Sequence, residues 1–145
     1  MCGILGVVSP ALPDLTPALE ALKHRGPDGS GHVALGPVWL GHRRLSIIDL
    51  SENGAQPIRK DGCGAIVFNG EIYDYATHRV SLEAQGARMD TRSDTEVLLR
   101  GLAAQGLAFL PKVHGMYALA WLGPGERTLW LARDHAGMKP LYVWV

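Results

Sequence analysis

The chain has 145 residues, 47% of them hydrophobic and 19% charged. These are the proportions of one soluble globular domain, too apolar for a disordered chain and without the long apolar run of a membrane span. Fourteen Lys and Arg balance fourteen Asp and Glu, which excludes the net field that holds nucleic acid or an anionic membrane surface and favours a small-molecule partner.

Residues 2–8 are small and apolar and predict a buried strand at the amino terminus. A helix is expected from Thr16, with Thr16 as its cap, Pro17 at the first helical position, leucines 15, 19 and 22 at helical spacing, and Gly26-Pro27 ending it. Short runs at 32–35, 38–41 and 45–50 are long enough only for strands, and 63–68 is another, stopped by an Asn69-Gly70 turn of positive φ. Residues 74–85 predict a helix closed by Gly86. A second helix opens at Ser93 with the capping-box pattern Ser93-Asp94-Thr95-Glu96, carries Val97, Leu98, Leu99, Leu102 and Ala103 on an apolar face, and closes at Gly106. Residues 116–122 and 129–133 then read as a hairpin around Gly123-Pro124-Gly125. Strands, then helices, then strands imply a single α+β domain over residues 1–145 with largely antiparallel sheets. No Walker-type phosphate loop occurs.

The first cation is Lys23, so no basic segment precedes the apolar start; a secretory signal is not indicated and a cytoplasmic location is expected. Cys2 and Cys63 are expected as free thiols. Histidines 24, 32, 42, 78, 114 and 135 show no short Cys/His ligand spacing, so no metal site is expected. Cys2 itself has two readings. It is either a small buried residue or, once Met1 is removed, one residue with both a thiol nucleophile and an α-amine whose unperturbed pKa of about 7.7 to 8.0 suits a base.

Six ordered segments spanning the chain bear on that choice. They are Met1-Cys2-Gly3-Ile4-Leu5-Gly6-Val7, His24-Arg25-Gly26-Pro27-Asp28, Gly41-His42-Arg43-Arg44-Leu45-Ser46-Ile47-Ile48-Asp49, Phe68-Asn69-Gly70-Glu71-Ile72-Tyr73, Ser93-Asp94-Thr95-Glu96 and the run from Arg133 to Tyr142. Through them the chain resembles the class II glutamine amidotransferases, which are N-terminal-nucleophile (Ntn) hydrolases, and among them the glutamine-dependent asparagine synthetases.

The resemblance implies a four-layer αββα sandwich of two mainly antiparallel sheets, with Cys2 at the end of a central strand. It also implies that Cys2 attacks the side-chain amide of L-glutamine, releases ammonia and leaves a glutamyl thioester for water to hydrolyse. Asn69 and Gly70 would then supply a side-chain amide and a backbone N–H to the oxyanion. Arg44 resembles the clamp on the substrate α-carboxylate, where a guanidinium fork fits in two-point geometry. Backbone groups of Leu45, Ser46, Ile47 and Ile48 would line the same pocket. Asp94 resembles the ligand of the substrate α-ammonium, and Glu71 is its second contact. Arg43 takes the bland role of a solvated arginine, Cys63 that of a strand-core thiol, and the histidines and the segments 24–28 and 134–142 are assigned chiefly to architecture.

Asp74 stands where the family commonly has Asn, which is expected to alter a local turn or helix cap. The family's synthetase domain has no counterpart in the sequence, so ATP and Mg²⁺ are expected only in that absent domain, and no cofactor in this one. The resemblance also implies that the amidotransferase domain normally runs further than Val145, so the sequence reads as a C-terminally truncated domain, a fragment or a stand-alone relative that lacks the final strands. An ATP-dependent synthetase domain or subunit is the expected partner, and a homo-oligomer is compatible with the sequence. Two rival readings stand beside this one: a class II domain serving another ammonia acceptor, and a non-catalytic interaction fragment.

Overall fold

Strict alternation of side chains builds two sheets, each with one face toward the other. The computed structural model describes residues 1–46 and 54–145. Strands β1 (Gly3–Val8), β2 (Gly29–Leu35) and β3 (Val38–Arg44) form an antiparallel sheet in the order β1-β3-β2. Strands β4 (Ile58–Lys60), β5 (Gly64–Ile72), β6 (Gly115–Leu122) and β7 (Leu129–Arg133) form a second antiparallel sheet in chain order.

The two faces of β5 go to different places because a strand's side chains alternate. Ala65 and Val67 meet Leu35, Val38 and Leu40 of the first sheet in an inter-sheet core. Ile66, Phe68 and Ile72 meet Leu98, Leu99, Leu102 and Phe109 in a second core against helix α3 (Asp94–Gln105) and the following 3-10 helix, Gly106–Lys112. Helix α2 (Tyr75–Ala84) packs beside α3. On the far side, α1 (Thr16–Ala21) sets Leu19 against β3 at Gly41. The four layers are thus α1, three strands, four strands, and α2 with α3. No helix among the described residues is long and apolar enough to cross a membrane.

Local signals work where they act locally. Ser93 caps α3, its Oγ accepting from the Glu96 N–H at 3.2 Å, and Gly106 closes the helix at φ +61. The Glu96 carboxylate, however, accepts from the N–H groups of Asp90 and Thr91 rather than from Ser93, so only half of the capping box forms.

Several expectations are corrected. Helix α1 ends at Ala21, short of Gly26, and Thr16 is not its cap: the cap position is Leu15, and Asp14 Oδ1 accepts from the Thr16 N–H at 2.9 Å. Asn69-Gly70 is no turn but lies inside the nine-residue β5, paired with Ala118 and Tyr117. Pairing along β6 overrides the local turn preference. The glycine is needed there for contact, since a Cβ at position 70 would lie 2.1 Å from the Met116 carbonyl oxygen. Strand β1 is the edge of its sheet and β3 the centre. Cys63 precedes β5 in a turn, although it is buried in the core. Arg43 is not solvated but 5% exposed, its Nη1 3.1 Å from Glu20 Oε2. Leu45 and Ser46 lie beyond the end of β3, and the rest of the strand expected at 45–50, with Ile47 and Ile48, lies outside the described residues.

Candidate active site

The same alternation gathers the chemistry at one end of the gap between the sheets. On β3, His42 and Arg44 share the inward face with Val38 and Leu40; on β5, Asn69 and Glu71 share it with Ala65 and Val67; and Cys2 precedes β1 in step with Ile4, which packs on the inter-sheet core. Helix α3 brings Ser93, Asp94 and Thr95 to the rim. These residues, with Met1, Leu45, Ser46, Gln56, Gly70, Met116 and Lys139, line one cleft.

Cys2 is half-buried, and the Leu45 N–H donates to its sulfur at 3.4 Å while the Leu45 carbonyl oxygen lies 3.6 Å away as an acceptor for the thiol. The sulfur is therefore held in place, with a donor able to stabilise it as an anion. Asp28 Oδ2 accepts from the Ser46 N–H at 2.8 Å and anchors the chain leaving β3.

Three amides of β5 define the opposite wall. Tyr117, the partner of Gly70, turns both backbone groups to Asp134: its N–H donates to Oδ2 at 3.0 Å, and its carbonyl accepts from the Asp134 N–H at 2.8 Å. The Gly70 N–H therefore faces away from β6, on the edge that β4, pairing with 64–66, leaves uncovered among the described residues. On the same edge the Phe68 N–H donates to Gln56 Oε1 at 2.6 Å and the Ile72 N–H to Asp94 Oδ2 at 3.0 Å. Between these two satisfied donors, the Gly70 amide and the Asn69 side chain face the cleft. Gln56 is itself fixed by its Nε2 donating to Thr95 Oγ1 at 3.2 Å.

The carboxyl of Asp94 is raised above the ordinary range, first by burial and also by the charge of Glu71, against the lowering effect of the amides of Ile72, Thr95 and Asp94 itself. A cation arriving beside it would relieve that strain on the ionised form. His42 is buried, and neither ring nitrogen has a well-formed hydrogen bond among the described residues. Burial pushes it down to about 4; contact with the Phe68 backbone opposes this and the Arg44 charge adds to it. It is a neutral wall of the cleft at working pH.

Of the residues expected from sequence, Cys2, Arg44, Leu45, Ser46, Asn69, Gly70, Glu71 and Asp94 come together, while Ile47 and Ile48 lie outside the described residues. Gln56 was not expected at all, and its only sequence signal is an amide before a proline. His42 and Lys139, assigned to architecture, line the cleft. Cys63 lies in the other core.

Comparison with known proteins places the chain in a family. A family model described as "Glutamine amidotransferase domain" matches residues 1–144. The chain is 42% identical over 98% of its length to asparagine synthetase [glutamine-hydrolyzing] 1 of Bacillus subtilis, covering 24% of that protein. It is 36% identical over 99% of its length to asparagine synthetase B [glutamine-hydrolyzing] of Escherichia coli, covering 27% of it. It is also 38% identical over 91% of its length to amidase chyE of Penicillium rubens, covering 20% of it. The chain thus spans about a quarter of the length of these relatives. Among solved structures, a glutamine phosphoribosylpyrophosphate amidotransferase from B. subtilis shares the fold with a TM-score of 0.69 at 24% identity, over 92% of this chain and 36% of that one. An allosteric regulatory enzyme of purine biosynthesis does so with a TM-score of 0.75, also at 24% identity, over 97% of this chain and 38% of the other. With the family match running almost end to end, the chain belongs to the glutamine amidotransferase domain family.

Proposed function

We propose that the chain is a glutaminase that hydrolyses L-glutamine to glutamate and ammonia through a thioester on Cys2. The observation that carries this reading is one cleft in which a held cysteine sulfur faces the Asn69 side chain and the uncovered Gly70 amide. Removal of Met1 would free the Cys2 α-amine. That amine takes the thiol proton, and the sulfur forms a bond to the amide carbon of glutamine while the carbonyl π electrons move onto oxygen, between the Asn69 and Gly70 donors. The protonated amine returns its proton to the departing nitrogen, the C–N bond breaks, and ammonia leaves. Water then gives a proton to the Cys2 amine as its oxygen adds to the thioester carbonyl, the C–S bond breaks as the amine returns that proton to the sulfur, and glutamate departs with Cys2 restored. Arg44 takes the substrate carboxylate and Asp94 with Glu71 the ammonium, charges of opposite sign on opposite walls.

The likeness to glutamine-hydrolysing asparagine synthetases favours asparagine formation from aspartate as the use of the ammonia, with ATP and Mg²⁺ handled by a synthetase domain or subunit outside this sequence. The amidotransferase unit occupies residues 1–145, and it needs no cofactor of its own.

Mass spectrometry of the purified protein should show Met1 absent, and a glutamine-mimicking diazo-ketone should add once, at Cys2, with loss of ammonia release. Labelling at another residue, or hydrolysis that survives Cys2→Ala, would end this reading.

A further inference from the structure

One charged group of the cleft has no part in the reaction as written. Lys139 is 4% exposed, yet among the described residues its ammonium has no carboxylate within ion-pair reach, and its hydrogen-bond partner is the thioether sulfur of Met1. A thioether is a weak acceptor, and a buried ammonium ordinarily has an anion. The position is nonetheless firmly built. Asp134 Oδ2 accepts from the N–H groups of Lys139 and Tyr117, each at 3.0 Å, and Oδ1 accepts from the Met138 N–H at 2.8 Å, which pins the loop after β7 to the strand opposite Gly70.

Met1 is the residue whose loss would create the base. Its sulfur is a few covalent bonds from the Cys2 nitrogen, so removing Met1 deletes the contact of the ammonium in the same cleft in which the new amine is exposed. The other charged or titratable groups at the cleft are the Cys2 thiol itself, Arg44 and His42 from β3, Glu71 from β5 and Asp94 from the start of α3, and the Asp134 carboxylate accepts from the Lys139 backbone N–H. His42 is neutral, and Arg44 is committed to the substrate carboxylate. Both carboxylates favour a protonated Cys2 amine, which cannot act as a base. A second ammonium beside the amine opposes them, in the way that a cationic neighbour activates a catalytic lysine.

We propose that Lys139 is a positioning residue whose charge holds the Cys2 α-amine in its neutral, proton-accepting form. This rests on the nucleophile assignment above. Lys139 takes no part in the transfer: the thiol proton passes to the amine and from there to ammonia.

The test is kcat/KM for glutamine hydrolysis against pH, on Met1-free protein, for the wild type, Lys139→Met, Lys139→Gln and Lys139→Arg. Loss of the charge in Lys139→Met and Lys139→Gln should move the acid limb up by about one pH unit, a roughly tenfold loss below the limb that recovers in alkali. Lys139→Arg should keep the wild-type limb. Acid limbs of Lys139→Met or Lys139→Gln that coincide with the wild type overturn the proposal. A measurement on the wild type alone guards against variants that do not fold: NMR titration of the isotope-labelled Cys2 amine should give a midpoint below about 7.7, and a midpoint at or above that value also overturns it. Failure of the underlying assignment looks different, because a wild type that retains Met1 or escapes the diazo-ketone at Cys2 fails before any pH profile is compared.

Discussion

Asn69 and Asp94 sit on the same cleft but should fail differently when changed. In the proposed reaction Asn69 serves a developing oxyanion, so Asn69→Ala should lower kcat roughly 100- to 1,000-fold, the typical loss of one such donor, with KM and Tm little moved. Steady-state kinetics beside a thermal melt check this. In the proposed reaction Asp94 takes a charge present in substrate and transition state alike, so Asp94→Asn should act chiefly on KM, raising it about tenfold to a hundredfold, the worth of one charged hydrogen bond. Its effect on stability has the opposite sign. Burial and the Glu71 charge hold the folded carboxyl above its ordinary value, so the ionised form costs stability once pH exceeds the folded pKa, and the cost is absent below the unfolded one. Asp94→Asn keeps an acceptor for the Ile72 N–H. It should melt no lower than the wild type at pH 7, and any advantage should vanish as pH falls below about 4.

At the scale of elements, what the sequence disclosed depended on whether the signal was local. The capped start and glycine stop of α3 need only neighbours in the chain, and both form where expected. Ser93→Ala should therefore cost about 1 kcal/mol, read as a shift in the denaturant midpoint at unchanged slope. Asn69-Gly70 reads as a turn because its partner strand is remote in sequence; only once β6 is in place does Gly70 become the residue that lets two backbones meet. The same contact makes Gly70→Ala severe. A Cβ would lie 2.1 Å from the Met116 carbonyl oxygen and 2.7 Å from the Tyr117 Cα, backbone atoms that cannot yield without opening the sheet. Gly70→Ala should leave little folded protein, as circular dichroism would show. Strand β4 and the 3-10 helix escaped notice for another reason: three residues, or one irregular turn, carry too little periodicity to stand out.

At the scale of the whole molecule, two aspartates tie distant segments together. Asp74, read from sequence as a change to a local turn or cap, instead reaches across to the start of β6. Its Oδ1 accepts from the His114 N–H at 3.0 Å, and Oδ2 lies 2.8 Å from His114 Nδ1 and 3.1 Å from His78 Nε2. Asp134 joins β6 to the loop that carries Lys139. For both, burial works against ionisation, but the backbone amides, and for Asp74 also the two imidazoles, hold the carboxyl below its ordinary value. Depressed carboxyls contribute stability that is present above the unfolded value near 3.8 and lost as pH falls through the folded one. Asp134→Asn should accordingly lower Tm at pH 7 and shrink the difference in Tm between pH 7 and pH 3, measured by calorimetry. The amino-acid sequence by itself determined the family, the layer composition and most of the groups that line the cleft, because motif residues and the alternation of strands are written along the chain. Only the tertiary structure decided that the Gly70 amide lies uncovered, that Arg43 is buried against Glu20, and that Lys139 points at the residue before Cys2. Each of these depends on which remote backbone takes a hydrogen bond, or on which side chain a charge reaches, and the spacing of residues in one dimension does not contain that information.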